Sequence, residues 1–266
     1  MPVVRIALAA ALVGCAPVHA QWLNYPTPGV PRLPNGKLNL NAPAPRTADG
    51  KLDLSGLWEP VGPANSSFVG NSARDPQFAD VGKDVKGGLP LQPWAADLLK
   101  TRLAANSKDD PDSRCLPLGP IKMHLHPYPR RIIQTPDLMV ILFERDTAYR
   151  QIFTDSRALL QDPQPSFNGY STGKWEGDTL VVQTNGIKDG AWLDVRGTPL
   201  TDAAKITERF RRPNFGMLEI QALVDDPKAY TKPWAVNFKL HIVLDTELID
   251  EVCLEGERSV EHIPVR

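Results

Sequence analysis

Residues 204–212 read Ala204-Lys205-Ile206-Thr207-Glu208-Arg209-Phe210-Arg211-Arg212, and Pro213-Asn214 separates them from 215–224, Phe215-Gly216-Met217-Leu218-Glu219-Ile220-Gln221-Ala222-Leu223-Val224. A third run, 235–244, reads Ala235-Val236-Asn237-Phe238-Lys239-Leu240-His241-Ile242-Val243-Leu244. Apolar and polar residues alternate, the period of a strand with one buried face. In the third run Val236, Phe238, Leu240, Ile242 and Leu244 belong inside, with Asn237, Lys239 and His241 outside. In 204–212 the inner face carries Ile206 and Phe210, with Glu208 between them.

The same texture extends outward. Runs 55–60, 131–136, 138–144, 148–154, 170–176, 178–185 and 247–254 are short and rich in β-branched and aromatic residues, so with the first three they make about ten strands. Glu176-Gly177-Asp178 has hairpin chemistry, as does Pro213-Asn214. From 131 onward no helical pattern lies between these runs, so crossovers for a parallel sheet are missing. The expectation is an all-β, antiparallel up-and-down barrel of lipocalin-like build, which buries strand edges by closure. The chain has 26 prolines in 266 residues, about twice the usual share, which excludes a helical bundle of this length. One helix is expected, from Pro93 to Asn106, with Trp94, Leu98, Leu99 and Leu103 as its apolar stripe. It sits in a Gly- and Pro-rich insertion over about 62–130.

Three charges fall on faces that otherwise read as interior. Glu208 is one, Glu144 shares a face with Val140 and Leu142, and Arg150 shares a face with Ile152. A buried charge is costly unless paired. Two accounts stay open. One is a structural ion-pair network, or strands whose opposite face is the buried one. The other is a polar patch in a ligand cavity, where Glu208 or Glu144 is a general base and Arg150 holds an anionic or carbonyl oxygen. His124, His126 and Tyr128 lie in a proline-rich stretch that would overhang the barrel mouth as a lid. If extended, His124 and His126 share a face and form a possible metal pair with His241, His262 or a carboxylate. Pro127 and Pro129 interrupt that strand, so no metal site is expected.

Other signals are negative. Gly169-Tyr170-Ser171-Thr172-Gly173 matches GxSxG, but a hairpin follows where a nucleophile elbow needs a helix. Dinucleotide, P-loop, HExxH and EF-hand patterns are missing, so no cofactor is expected. A formal net charge of -1 gives no general grip on nucleic acid, and Arg209, Arg211 and Arg212 read as a solvated face.

The N-terminus reads as an export signal over 1–20: Arg5, an apolar run from Ile6 to Gly14, then Val18-His19-Ala20. Leu12-Val13-Gly14-Cys15 also resembles a lipobox, so a lipid anchor at Cys15 is the alternative to cleavage after Ala20. No stretch is long enough for a transmembrane helix. Periplasmic or secreted localisation follows. The two remaining cysteines, Cys115 and Cys253, then pair as a disulfide, against the rival of two buried thiols. An arm over 21–54 contains the near-repeat Asn35-Gly36-Lys37-Leu38-Asn39-Leu40 and Asp49-Gly50-Lys51-Leu52-Asp53-Leu54, and 55–266 is one barrel domain.

The Gly56-Leu57-Trp58 start is similar to that of lipocalin-type barrels, in which the Trp plugs the base. Nearly all of the chain after the signal also resembles a family of uncharacterised exported bacterial proteins. The motifs that carry this are Cys115-Leu116-Pro117, Pro127-Tyr128-Pro129, Gly173-Lys174-Trp175-Glu176-Gly177-Asp178-Thr179-Leu180-Val181-Val182, Glu208-Arg209-Phe210 and Asp226-Pro227-Lys228-Ala229-Tyr230. The chain departs from that pattern at Thr198-Pro199-Leu200-Thr201-Asp202, where relatives tend to carry a histidine, and at Asp155-Ser156-Arg157 and Arg130-Arg131. The sequence thus points to a small-molecule-binding barrel. Its first reading is a cofactor-free lyase, isomerase or hydrolase acting on a small amphipathic substrate. A carrier and a structural envelope protein with a filled core are the alternatives.

Overall fold

The computed structural model describes residues 25–61 and 80–253. The export signal, Cys15 and His262 lie outside the described residues. Eleven strands lie among the described residues: β1 (Gly56–Pro60), β2 (Arg130–Gln134), β3 (Leu138–Phe143), β4 (Tyr149–Phe153), β5 (Tyr170–Glu176), β6 (Thr179–Asn185), β7 (Ala191–Trp192), β8 (Pro199–Leu200), β9 (Lys205–Asn214), β10 (Met217–Asp225) and β11 (Trp234–Val243). Nine of them close a barrel in the order β1-β2-β3-β4-β5-β6-β9-β10-β11, and β7 and β8 form a separate pair. The barrel therefore follows chain order apart from that excursion.

The ring is not wholly antiparallel. Nine is odd, and strict alternation of direction cannot close around an odd ring, so one neighbouring pair must run parallel. That pair is β4 and β5, and it meets only at Phe153↔Thr172. The expected strand 247–254 would have made the count even. Through residue 253 that segment instead forms only an isolated bridge, Arg145↔Glu251. The reason is that β11 already pairs with β1 through Leu57↔Val243 to Pro60↔Leu240, so no barrel edge is left.

Side-chain alternation is as read for β4, β9 and β11, where Arg150 and Ile152, then Ile206, Glu208 and Phe210, then Val236, Phe238 and Leu240 are buried. In β3 it is the reverse of the reading. Met139, Ile141 and Phe143 turn inward and Val140 and Leu142 do not. A continuous apolar run has no alternation to set its phase. Arg212 also corrects the reading of a solvated basic stretch. Arg209 and Arg211 are exposed, but Arg212 is buried on the Glu208 face.

Arg212 closes the barrel base. Its guanidinium lies 4.8 Å from the Trp58 ring centre and donates to the carbonyls of Asp53 (2.6 Å), Ser55 (3.2 Å) and Phe215 (2.6 Å). Trp58 is fully buried, and its indole N–H donates to the Leu54 carbonyl. Gly56 sits at φ 149, and a Cβ there would lie 3.1 Å from the Trp58 Nε1, so the Gly of Gly-x-Trp makes room for the plug.

Two α-helices lie among the described residues rather than one. Helix α1 (Pro93–Ala104) starts at Pro93 as expected, but the expected stripe is wrong: Ala95 is buried while Trp94 and Leu103 are exposed. It rides on the surface, tied by the Trp94 indole N–H to the Lys228 carbonyl. Helix α2 (Gly119–Leu125) arises in a stretch that reads as irregular, and all seven residues are buried. Arg130 on β2 holds its end by donating to the carbonyls of Met123 (2.8 Å), His126 (2.6 Å) and Tyr128 (2.8 Å). A cation there also suits the negative end of the helix dipole. The arm forms two like turns, in which Arg32 and Arg46 donate to the carbonyls of Gly36 and Gly50. The second turn is clamped to the β5–β6 hairpin by two 2.9 Å bonds from Arg46 to Asp178. Cys115 and Cys253 form a disulfide, with Cα atoms 5.6 Å apart. No helix among the described residues is long and apolar enough to cross a membrane.

Candidate functional site

Three of the residues singled out in the sequence converge. Arg150 points inward from β4, Glu208 inward from β9, and His124 reaches them from α2; each is at most 1% exposed. His124 Nε2 lies 2.7 Å from Glu208 Oε1. Arg150 Nη1 donates to that same oxygen at 3.1 Å, and Nη2 donates to Oε2. Nη2 also donates to Thr184 Oγ1 (2.9 Å) and Ser171 Oγ (3.3 Å), which are 2.9 Å from each other. The result is a chain, Ser171/Thr184–Arg150–Glu208–His124, inside the barrel.

The electrostatics fix its protonation. Burial alone would raise the Glu208 carboxyl, but the Arg150 charge and the bonds from His124 and Arg150 outweigh it and hold it at about 2. Burial pushes His124 below its ordinary value, and the Glu208 contact only partly opposes that. An ionised carboxylate facing a neutral imidazole takes the ring N–H, so His124 carries its proton on Nε2 and donates it. Its Nδ1 then holds a lone pair, and that atom is buried without a hydrogen-bond partner, as is Arg150 Nε. Two members of the chain, His124 and Arg150, thus each keep one unsatisfied buried nitrogen.

Each of the two residues lines a gap in the barrel wall. Because β4 and β5 touch at a single residue pair, they splay apart, and a cleft of about 680 Å³ opens between them. Tyr149, Phe153, Phe167 and Tyr170 line it, with Arg150 and Ser171 among its lining residues and Lys188 beside them. The Asn168 side chain donates to the Tyr149 carbonyl at 2.9 Å, covering an edge group that a neighbouring strand would otherwise take. At the other side β1 ends at Pro60 while β11 continues, leaving an opening of about 220 Å³. His124 and Leu125 line it, together with Pro60, Val61 and Phe238.

The remaining candidates lie elsewhere. Glu144 does not join the chain: it follows β3 on the opposite face from the one expected. It is buried under the C-terminal segment, where its Oε2 accepts from the Ile249 N–H at 3.3 Å. Burial raises its carboxyl. His126 caps the end of α2 instead of extending from His124, so the two imidazoles part and make no metal pair. Its Nε2 lies 3.5 Å from Asp112 Oδ2, and its ring stacks 5.1 Å from Tyr128. Around it Lys122 donates to both Asp110 oxygens (2.8 and 2.7 Å), while Arg145 donates to Asp112 and Glu251. Among the described residues one group of three possible metal ligands comes together, Cys115, Asp146 and Cys253, and its two sulfurs are already joined. Ser171 of the GxSxG match lies on β5, and β6 follows it as the hairpin chemistry requires. Thr184 and Lys122 escape sequence reading, since neither interrupts a pattern.

Both buried histidines make stability pH-dependent. His124 and His126 are lowered, chiefly by burial. The unfolded chain therefore takes up protons near its ordinary value of 6.5 while the folded chain refuses them. Unfolding free energy is then expected to fall as pH drops below about 6.5, by up to about 1.4 kcal/mol per pH unit for each histidine. Glu208, whose folded value is depressed, adds its loss below about 4.5 and on toward about 2. Urea melts at about pH 7.5, 6 and 5 check this, and an unchanged midpoint across that range would contradict it.

Neither a family model nor a curated protein matches this chain.

Proposed function

We propose that the protein is an exported barrel that binds a small, amphipathic, aromatic molecule carrying an anionic or carbonyl oxygen, in the cleft between β4 and β5. The observation that carries this reading is Arg150. Its guanidinium is buried, is incompletely hydrogen-bonded at Nε, and lines an open cleft whose walls are aromatic. A cleft of this volume is within the range that takes a small organic ligand, and a few polar groups among apolar walls is the usual composition of such sites. Glu208, Ser171 and Thr184 hold Arg150 in place, and Lys188 adds a second positive charge. Export is supported by the signal-like residues 1–20 and by the disulfide, which belongs to an oxidising compartment. A lipid on Cys15 would keep the same barrel at a membrane surface. The resemblance to exported bacterial proteins agrees with this placement.

A panel of aryl carboxylates, including benzoate and cinnamate, tests the proposal by thermal shift and titration. At least one is expected to raise the melting temperature saturably. Phe167→Ala and Tyr170→Ala are each expected to weaken it about tenfold, on the order of the packing and area an aromatic contact supplies. Binding indifferent to both changes would put the ligand somewhere other than this cleft.

A second reading, a cofactor-free lyase, isomerase or hydrolase, is favoured by the Glu208–His124 pair, which orients an imidazole with one free lone pair. Glu208 serves there as the orienting group rather than the base, because its charge is already held by Arg150. Glu208→Gln decides it. Turnover lost with ligand affinity kept supports catalysis by this pair, turnover unchanged removes the pair from the chemistry, and a wild-type protein that binds without turnover is a carrier.

A further inference from the structure

We infer that the opening between the end of β1 and β11 is a second binding site, one for a single-ring hydrogen-bond donor of the phenol class, with His124 Nδ1 as the acceptor. This does not rest on the cleft between β4 and β5; it uses a different opening and a ligand of different charge.

Size comes first. The opening measures about 220 Å³. An apolar cavity of about 150 Å³ takes up benzene, so one substituted ring fits here and a fused pair is crowded. The walls supplied by Pro60, Val61, Leu125 and Phe238 are apolar. Polarity comes from His124, with Asp84, Asn237 and Lys239 also lining the opening.

The donor requirement follows from the charge chain. Arg150 holds Glu208 ionised, and Glu208 takes the Nε2–H of His124. The imidazole therefore cannot move its proton to Nδ1 without losing that bond. Nδ1 is left as a buried acceptor with no donor. An unsatisfied buried acceptor costs about 1–3 kcal/mol, and a ligand O–H placed against it removes the cost. A carboxylate in the same place would set its own lone pairs against that of Nδ1. An aliphatic alcohol offers the O–H but no flat face for the Phe238 ring. A phenol offers both.

The experiment uses the full protein, labelled with ¹⁵N-histidine, and two probes of nearly equal shape, phenol and anisole. Anisole lacks the O–H. Long-range ¹H–¹⁵N correlation spectra first report the His124 tautomer, expected as Nε2–H. Phenol is then expected to shift the Nδ1 resonance saturably, and anisole to bind about tenfold more weakly. Four results would overturn the inference: an Nδ1–H tautomer, equal affinity for the two probes, phenol binding that leaves His124 unmoved, or no phenol binding. Aryl carboxylate binding at the other opening is read separately through Phe167→Ala and Tyr170→Ala, so each site stands or falls alone.

Discussion

Glu208→Ala is expected to cost about 3–5 kcal/mol, the range for removing one partner of a buried ion pair. For a chain of this size that lowers the melting temperature by roughly 6–20 °C. The magnitude comes from what remains. Arg150 would stay buried with Ser171, Thr184 and the Met123 sulfur as acceptors, three neutral atoms for a full positive charge. His124 would lose the acceptor of its Nε2–H as well. Arg150→Met should cost a similar amount, for it leaves the carboxylate without its counter-charge. The double variant Arg150→Met/Glu208→Gln removes both charges and keeps the bulk, so its cost should fall well short of the sum of the singles. With the Glu208→Gln single added, chemical melts of the wild type, the two matching singles and the double variant give the coupling directly. Singles that each cost less than about 1 kcal/mol would mean that water reaches the pair, since that is the worth of an exposed one.

The same pair shows which parts of the site can be read without coordinates. Glu208 and Arg150 interrupt apolar alternation in β9 and β4, and a charge at an interior position is visible because it breaks a pattern. Glu144 breaks a pattern too, but β3 is apolar at every position from 138 to 143, so nothing in it sets which face is inside. The barrel was legible from the sequence of short strands. The parallel seam was not, because it depends on a strand count that one segment decides. Residues 247–253 have a strand-like composition, yet closure by β1 and β11 leaves them no edge to join. Helix α2 was hidden by the prolines around it. Its single turn or two would be marginal alone and exists through burial of every residue and the Arg130 cap. His124 was therefore placed over the mouth when it belongs inside.

Loss of the Cys115–Cys253 bond is the other large effect. The two cysteines are 138 residues apart, and in the chain-entropy model a loop of that length is worth about 4–5 kcal/mol. Cys115→Ser/Cys253→Ser, or reduction, is expected to lower the melting temperature by roughly 8–20 °C. Its consequences should begin locally. Cys115 lies four residues before the start of α2 and Cys253 in the C-terminal segment, so the bond ties the approach to that buried helix to the segment. Without it that segment keeps the Arg145–Glu251 and Arg131–Glu247 ion pairs, the Ile249 and Glu251 N–H bonds to Glu144, and the bond from the Asp146 N–H to Glu251. The ion pairs are partly exposed and worth about 1 kcal/mol each at most. The segment should therefore open before the barrel does, and water should then reach Glu144. Hydrogen exchange of the amides at 249 and 251 in reduced and oxidised protein separates the two steps. Protection lost there while β9–β11 stay protected is the expected order. Simultaneous loss across all of them would show that the disulfide secures the whole barrel as one unit, and a midpoint unchanged by reduction would show that packing alone holds α2 in place.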